Sequence, residues 1–317
     1  MRLRFFLALA AATSVAFTGL SAQDRAWADF PEKSVTINVG FGAGGGVDTI
    51  TRAIAPVLSE ALGETVIVVN QPGAGGAVAT TRLKATPGDG YTLVATTSTT
   101  LTFDPHTGAV AFDVGEFDYI AAFGTFPEAL IALPSRGWAD LSAMLEEAKA
   151  NGTALTYASN TAIDKMVTAA LSKASGVTIN PVPVESGAES VSQTLGGHVD
   201  FAYSSGTYYP QAVSGDLMIL AGLGDDPVPG FEERPTLRGL GYDISSVNMI
   251  LYLAPKGLPA DAKAKLVEAF DAAAKSDALL SVLDKRNMGS FTVTGDALTA
   301  LIEKQYKQFG TLAEGQN

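Results

Sequence analysis

From residue 34 onward, short β-branched runs alternate with stretches whose apolar residues recur at helical spacing. Ser34 to Val39 reads as a strand. Ile50, Ile54, Leu58 and Leu62 then fall on one face of a helix over about Thr49 to Leu62, and Gly63 is placed to cap its end. Thr65 to Val69 is a continuous β-branched run, the pattern of a parallel strand buried on both faces. A helix over about Ala77 to Ala85, a turn at Pro87-Gly88-Asp89-Gly90 and a strand over Tyr91 to Thr96 follow. The polar run Thr96 to Thr100 falls at the C-terminal end of that strand, where open parallel sheets hold ligands.

Phe117 to Leu133 is long, mostly apolar and extended, and a new strand–helix series begins after it. Helices are predicted over Ala139 to Ala150, Ile163 to Ser175, Ala188 to Leu195 and about Tyr208 to Val213. Strands are predicted over Ala154 to Ala158, Thr178 to Val184, Val199 to Tyr203 and Leu217 to Leu223. A second extended apolar run, Val247 to Ala254, precedes helices over Asp261 to Lys275, Ala278 to Asn287 and Asp296 to Phe309, with a short strand at Ser290 to Val293. Two extended crossings imply two α/β domains joined by two hinge strands: residues 29–124, then 125–248, then 249–317 returning to complete the first domain. A cleft between such domains is the expected ligand site.

The chemistry concentrates at the first turn. Val39-Gly40-Phe41-Gly42-Ala43-Gly44-Gly45-Gly46-Val47-Asp48 joins a strand to a helix N-terminus. Glycines let backbone approach a ligand, and the first helical amides lack internal partners and sit at the positive end of the dipole. The turn therefore suits one end of a small carboxylate-bearing ligand. It is not a dinucleotide fingerprint: read from Gly42, Val47 stands where the last glycine belongs, and Asn70 stands where an acid is required. It lacks the Gly-Lys-Ser/Thr ending of a P-loop.

Residues 1–28 have the marks of an export signal: Arg2 and Arg4, an apolar run from Phe5 to Ala12 extended by Val15 to Phe17, and Ala26-Trp27-Ala28 as a cleavage site. The expected location is the periplasm, with no stable membrane insertion. The full chain has 33 acidic and 21 basic residues; removing Arg2, Arg4, Arg25 and Asp24 with the signal leaves 32 and 18, a net charge of −14. Such a surface repels nucleic acid and anionic membranes. There is no cysteine, which removes thiol catalysis, thiolate metal sites and disulfides. The two histidines, His106 and His198, have no Ser, Asp or metal partner at useful spacing and read as surface or turn residues. An exported hydrolase, the rival reading, would need a nucleophile and base, and there is no GxSxG elbow.

Several motifs, in order, resemble the substrate-binding proteins of tripartite tricarboxylate transporters, also called Bug receptors. They are Phe41-Gly42-Ala43-Gly44-Gly45-Gly46-Val47-Asp48, Val69-Asn70-Gln71-Pro72-Gly73-Ala74-Gly75-Gly76, Pro87-Gly88-Asp89-Gly90-Tyr91-Thr92-Leu93, Leu195-Gly196-Gly197-His198-Val199-Asp200, and Val247 to Pro255 with Pro259 after it. The resemblance covers nearly all of the mature chain. It implies a class II periplasmic binding protein with a Venus-flytrap fold. Such a protein, expected to be monomeric, delivers a small organic ligand, mostly a carboxylate, to membrane transporter subunits without metal or cofactor. Partnership with a sensor in place of a transporter is equally compatible with the sequence.

In the family, the loop matching Phe41–Asp48 and a loop of the second domain grip the ligand through backbone groups and water. The matching second loop here, Tyr157 to Met166, lacks the usual glycines and puts Met166 near the usual His. Val184-Glu185-Ser186-Gly187-Ala188-Glu189 carries Glu where Lys and Pro are common, and Ser204-Ser205 stands where an Asp is frequent. A monocarboxylate, an amino-bearing acid or a neutral amide suits these added carboxylates better than a dicarboxylate does. The candidate ligand residues are thus Phe41 to Asp48, Thr97, Ser98, Ser159, Asn160, Thr161, Asp164, Gly187, Ala188, Ser204 and Tyr208. Asp48 fits either ligand contact or a helix cap contributing about 1 kcal/mol. Ser159, Asn160 and Thr161 fit ligand contact or capping of the following helix, Asp164 fits first-turn dipole stabilisation, and Tyr208 fits either the cleft or the second core.

Overall fold

The computed structural model describes residues 30–159, 161–184 and 186–314, with side chains as far as residue 311. The export signal, Asn160 and Glu185 lie outside the described residues. Two mixed sheets form the frame. The first has six strands in the order β11-β4-β10-β3-β1-β2, built from β1 (Val35–Val39), β2 (Val66–Asn70), β3 (Thr92–Thr97), β4 (Phe117–Thr125), β10 (Met249–Pro255) and β11 (Gly289–Thr294). The second has five, in the order β7-β6-β8-β5-β9: β5 (Ala129–Ala132), β6 (Leu155–Ser159), β7 (Ile179–Pro183), β8 (Phe201–Ser204) and β9 (Met218–Gly222). β1 runs parallel to β2 and β3, and β6 parallel to β7 and β8, as strand–helix–strand units must. The two crossings turn these sheets mixed: β10 pairs antiparallel with β3 and β4, and β5 with β8 and β9.

Each sheet is covered on both faces. In the first lobe, α1 (Gly46–Leu62), α8 (Ala260–Ala274) and α9 (Asp277–Lys285) cover one face, with Ile50, Ile54, Leu266 and Phe270 fully buried. The other face takes α2 (Ala77–Lys84), α3 (Ser98–Thr102) and α10 (Gly295–Glu314), through Leu83, Leu101, Leu298 and Ile302. In the second lobe, α4 (Leu141–Asn151) and α5 (Ala162–Ser175) cover one face, and α6 (Gly187–Leu195) and α7 (Tyr209–Ser214) the other. The chain passes between lobes from β4 to β5 and from β9 to β10, giving the two hinge segments of a two-lobed α/β binding-protein fold.

Three local expectations change. β2 is an edge strand, not a strand buried on both faces: Ile67 and Val69 are 44% and 40% exposed because only one of its faces meets α1. α1 starts at Gly46, so Gly46, Val47 and Asp48 belong to its first turn, and Gly45 occupies the N-cap position. The run Thr96 to Thr100 is not a strand end throughout; from Ser98 it winds into α3, since hydroxyl side chains can bond back to the turn before them, as Thr102 Oγ1 does to the Ser98 carbonyl (3.0 Å).

The lobes also meet away from the hinges. Phe103, just past α3, and Phe309, near the end of α10, stack edge to face with ring centres 5.5 Å apart, and both are buried in the second lobe's core. The C-terminal helix thereby reaches from the first sheet onto the second lobe. Gln305 Nε2 on the same helix donates to the Val247 carbonyl of the hinge (3.1 Å). Phe309→Ala should therefore lower the unfolding free energy by about 3 kcal/mol in denaturant titration. Val213→Ser, at a position 67% exposed on α7, should change it by no more than about 0.5 kcal/mol.

Candidate functional site

A cavity of about 980 Å³ opens between the lobes. From the first lobe, Phe41, Gly75, Thr97, Thr99, Thr100 and Asp104 line it; from the second, Thr161, Ile163, Lys165, Met166, Tyr203 and Ser205; from the hinge, Asn248. Two glycine-rich turns shape the first wall by lying against each other. A Cβ on Gly40 would sit 2.8 Å from Gly76 Cα, and one on Gly76 would sit 2.2 Å from Thr96 Oγ1, with φ +97° adding strain. Only glycine allows this approach. Thr100 is then placed to donate to the Gly75 carbonyl (2.8 Å), and it bonds Thr97 (3.1 Å) and Thr96 (3.0 Å), so the wall presents a chain of hydroxyls.

Each lobe holds its loop with a buried aspartate in the first turn of the following helix. In the first lobe, Asp48 Oδ2 accepts from the Gly44 N–H (2.8 Å), and Oδ1 accepts from Asn70 Nδ2 (2.7 Å) and Arg52 Nε (2.8 Å). Burial pushes this carboxyl up, but the Gly44 amide, Asn70 and Arg52 together hold it below the ordinary carboxylate value. Asn70 also donates to the Phe41 carbonyl (3.1 Å). In the second lobe, Asp164 accepts from Ser159 Oγ (2.7 Å), the Thr161 N–H (2.8 Å) and Thr161 Oγ1 (3.0 Å), while the Asp164 N–H donates back to Thr161 Oγ1 (3.2 Å). Thr161 is the N-cap of α5 in a reciprocal capping box. Asp48 is not the N-cap of α1; it reaches back to the turn from inside the helix. Both acids spend their oxygens on the loops and present other groups to the cleft.

The sequence-predicted residues separate accordingly. Phe41, Thr97 and Thr161 line the cavity. Gly42 to Gly45 lie outside its lining, Gly46 packs toward Phe126, and Val47 and Asp48 are buried. Ser98 is buried and donates toward Asn248 Oδ1 (3.3 Å) while accepting from the Met249 N–H (3.1 Å). Ser159 and Asp164 lie beneath the second loop. Gly187 and Ala188 begin α6 away from the cavity lining, and Ser204 is buried against Thr207 (3.0 Å). Tyr208 is wholly buried among Val191, Val199 and Ala212, so it packs the second core. His106, read as a surface or turn residue, is in the cavity wall, with Nε2 on the Tyr306 carbonyl (2.8 Å).

The floor of the cleft was missed in the sequence. Glu128, between β4 and β5, is fully buried. Its Oε1 accepts from Tyr203 Oη in a short contact and from Asn248 Nδ2 (2.9 Å), and Ser246 lies against the same carboxyl. Asn248 Oδ1 in turn accepts from the Thr99 N–H (3.4 Å) and Thr99 Oγ1 (3.4 Å). One carboxyl thus ties both hinges, β8 and α3 together, with Tyr203, Asn248 and Thr99 facing the cavity. Burial pushes the Glu128 carboxyl up, against the hydrogen bonds from Tyr203 and Asn248 to Oε1 that pull it down, while Oε2 has no hydrogen-bond partner among the described residues. The available signal was an acid, Glu128, in the middle of the 17-residue apolar run Phe117 to Leu133, whose other acid, Asp118, stands at its start.

With this geometry in place, comparison with known proteins is decisive. The model of the tripartite tricarboxylate transporter family receptor matches residues 50–317. The chain belongs to that family. Its receptors are periplasmic solute-binding proteins that work with transporters. A Cupriavidus necator relative, the UPF0065 protein in the gbd 5' region, is 31% identical over 276 residues, 85% of this chain and 84% of its own. A TctC solute-binding protein from Polaromonas superposes with a TM-score of 0.73 at 26% identity, covering 90% of this chain and 99% of its own. MatC from Rhodopseudomonas palustris, with bound malate, shares the fold at TM-score 0.76 and 22% identity, over 90% of this chain and all of its own. Among the described residues of this receptor, no helix is long and apolar enough to cross a membrane.

Removing the Glu128 carboxyl should be costly. Glu128→Ala leaves Tyr203 Oη and Asn248 Nδ2 without their acceptor and should lower stability by about 2–4 kcal/mol. Glu128→Gln keeps an acceptor and should cost less. Because the folded-state pKa lies above the unfolded value, the native state binds the extra proton. Stability is then fully present below the ordinary glutamate value of 4.5 and declines as pH rises beyond it. Glu128→Gln should flatten that decline in melting temperature measured from pH 4 to 8.

Proposed function

We propose that this chain is an exported periplasmic receptor that captures a small organic carboxylate between its lobes and delivers it to a tripartite tricarboxylate-type membrane transporter. It is a binding protein, not an enzyme. The signal would be removed near Ala28, and the lobes would divide near residues 124–125 and 248–249. The observation that carries this reading is the cavity lined from both lobes and from the hinge. Its hydroxyls and backbone edges suit an acid's oxygens, while Phe41, Phe103, Ala109 and Val110 suit an apolar body. Family membership, and a neighbour of the same fold that holds malate, make organic acids the class to test first.

Binding energy must be spread over many contacts. A micromolar affinity corresponds to about 8 kcal/mol, and no arginine among the described residues lines the cavity to supply a bidentate clamp. Phe41, Thr97 and Thr161 would touch ligand directly. Asp48 and Asp164 would act by shaping the two loops. Closure would exclude water and shift the population toward the form that the transporter recognises.

A thermal-shift screen of residues 29–317 against mono- and dicarboxylates, aromatic acids, amino acids and amides tests this. The native state should gain RT ln(1 + [L]/Kd), a rise of several degrees for the right class. Ser205→Trp, which fills the cleft from a lining position, should weaken the hit at least ten-fold without changing the melting temperature of the unliganded protein. No response to any acid, before or after denaturation and refolding to remove a retained ligand, overturns the receptor reading.

A further inference from the structure

The cavity lining holds two charged side chains of opposite sign, one from each lobe. Asp104 stands at the start of a short 3₁₀ turn (Asp104–Thr107) that follows α3 in the first lobe. The turn is anchored by Thr107 Oγ1 on the Asp104 carbonyl (2.7 Å), by His106 Nε2 on the Tyr306 carbonyl, and by packing against α10 and α5. The Asp104 carboxyl is half-buried and makes no hydrogen bond or ion pair with any described residue. Lys165 projects from the first turns of α5 in the second lobe; it is exposed and likewise has no ion pair among the described residues. His106, the other titratable group beside Asp104, has its ring against Tyr306 at 4.2 Å and its Nε2 committed to the backbone.

An unpartnered acid in an anion receptor has a consequence. A dicarboxylate that fills this cleft brings a second anion toward Asp104, and like charges at close range discriminate strongly against a ligand. A cationic nitrogen in the same place supplies the partner that the carboxyl lacks. Burial without any compensating donor pushes this carboxyl up to about 7.

Resting on the receptor reading above, we propose that the ligand is an organic acid that also bears a cationic nitrogen. Its carboxylate lies toward Thr161 and Lys165 and its nitrogen toward Asp104, so that Asp104 is the residue that selects against dicarboxylates. The acid expected from sequence to exert this effect was at Glu185 or Glu189. Glu185 is outside the described residues, and Glu189 lies outside the cavity lining. The selecting acid is on the other lobe.

The test is titration calorimetry of residues 29–317 at pH 8 with three matched pairs: 4-aminobutyrate and glutarate, 5-aminopentanoate and adipate, 4-(aminomethyl)benzoate and terephthalate. At least one amino acid should bind ten-fold or more tightly than its dicarboxylate partner. Asp104→Asn should shrink that ratio at least ten-fold, and Lys165→Met should weaken both members of the pair. If the dicarboxylate binds equally or better in every pair, or if only acids without nitrogen bind, the inference is overturned and the receptor reading stands. If Asp104→Asn weakens every acid equally, Asp104 is a latch between lobes, and the selectivity assignment is overturned. If no acid of any kind binds, the receptor reading itself falls.

Discussion

A buried carboxyl at the junction of two hinges is the constraint on which this structure turns. Glu128 sits where the chain first crosses between lobes, and Asn248 where it crosses back. Their contact, with Tyr203 on one side and Thr99 on the other, joins both crossings, β8 and α3 through a single set of hydrogen bonds. A buried acid is expensive unless its oxygens are occupied, and among the described residues Oε1 has two donors while Oε2 has none. That expense ties the positions of Tyr203, Asn248 and Thr99 to one another, and all three face the cavity. The floor of the cleft is therefore set by a polar cluster, while the lobes themselves are set by apolar packing.

The walls above that floor repeat one device. Asp48 and Asp164 each occupy the first turn of a helix, and each folds its carboxylate back onto the loop before it. The helix dipole favours an anion there, so the acid is held by the same amides that could hold a ligand anion. Both carboxyls are therefore engaged by protein donors. Their effect is to freeze two loops whose exposed members, Phe41 and Thr161, reach the cavity. The contact of Phe103 with Phe309 adds a third link between lobes.

Much of the fold was legible in one dimension. Strand and helix periods placed nearly every regular element within a few residues, because each element's apolar face must meet a sheet or a helix layer. The two extended apolar runs gave away the crossings for a related reason: β4 and β10 are central strands, buried on both faces. The edge position of β2 was not legible, since a β-branched run reads the same whether or not another element covers its second face. Nor was α3, where threonine hydroxyls bond back into the turn and make a helix out of a run that looks extended.

Sequence by itself determined the two-lobed α/β class and the glycine-rich turns, because these depend on local backbone geometry and on neighbours a few positions away; it narrowed the α5 cap to Ser159, Asn160 or Thr161, and the structure chose Thr161. It also determined the family, through motifs that serve those turns. Only the tertiary structure decided which polar groups face the cleft. Glu128 and Asn248 are 120 residues apart in sequence and meet in space; Asp104 and Lys165 come from different lobes and share one cavity. Side-chain direction at a cleft is set by long-range packing and by competition among buried hydrogen-bond partners, and neither leaves a period in the chain.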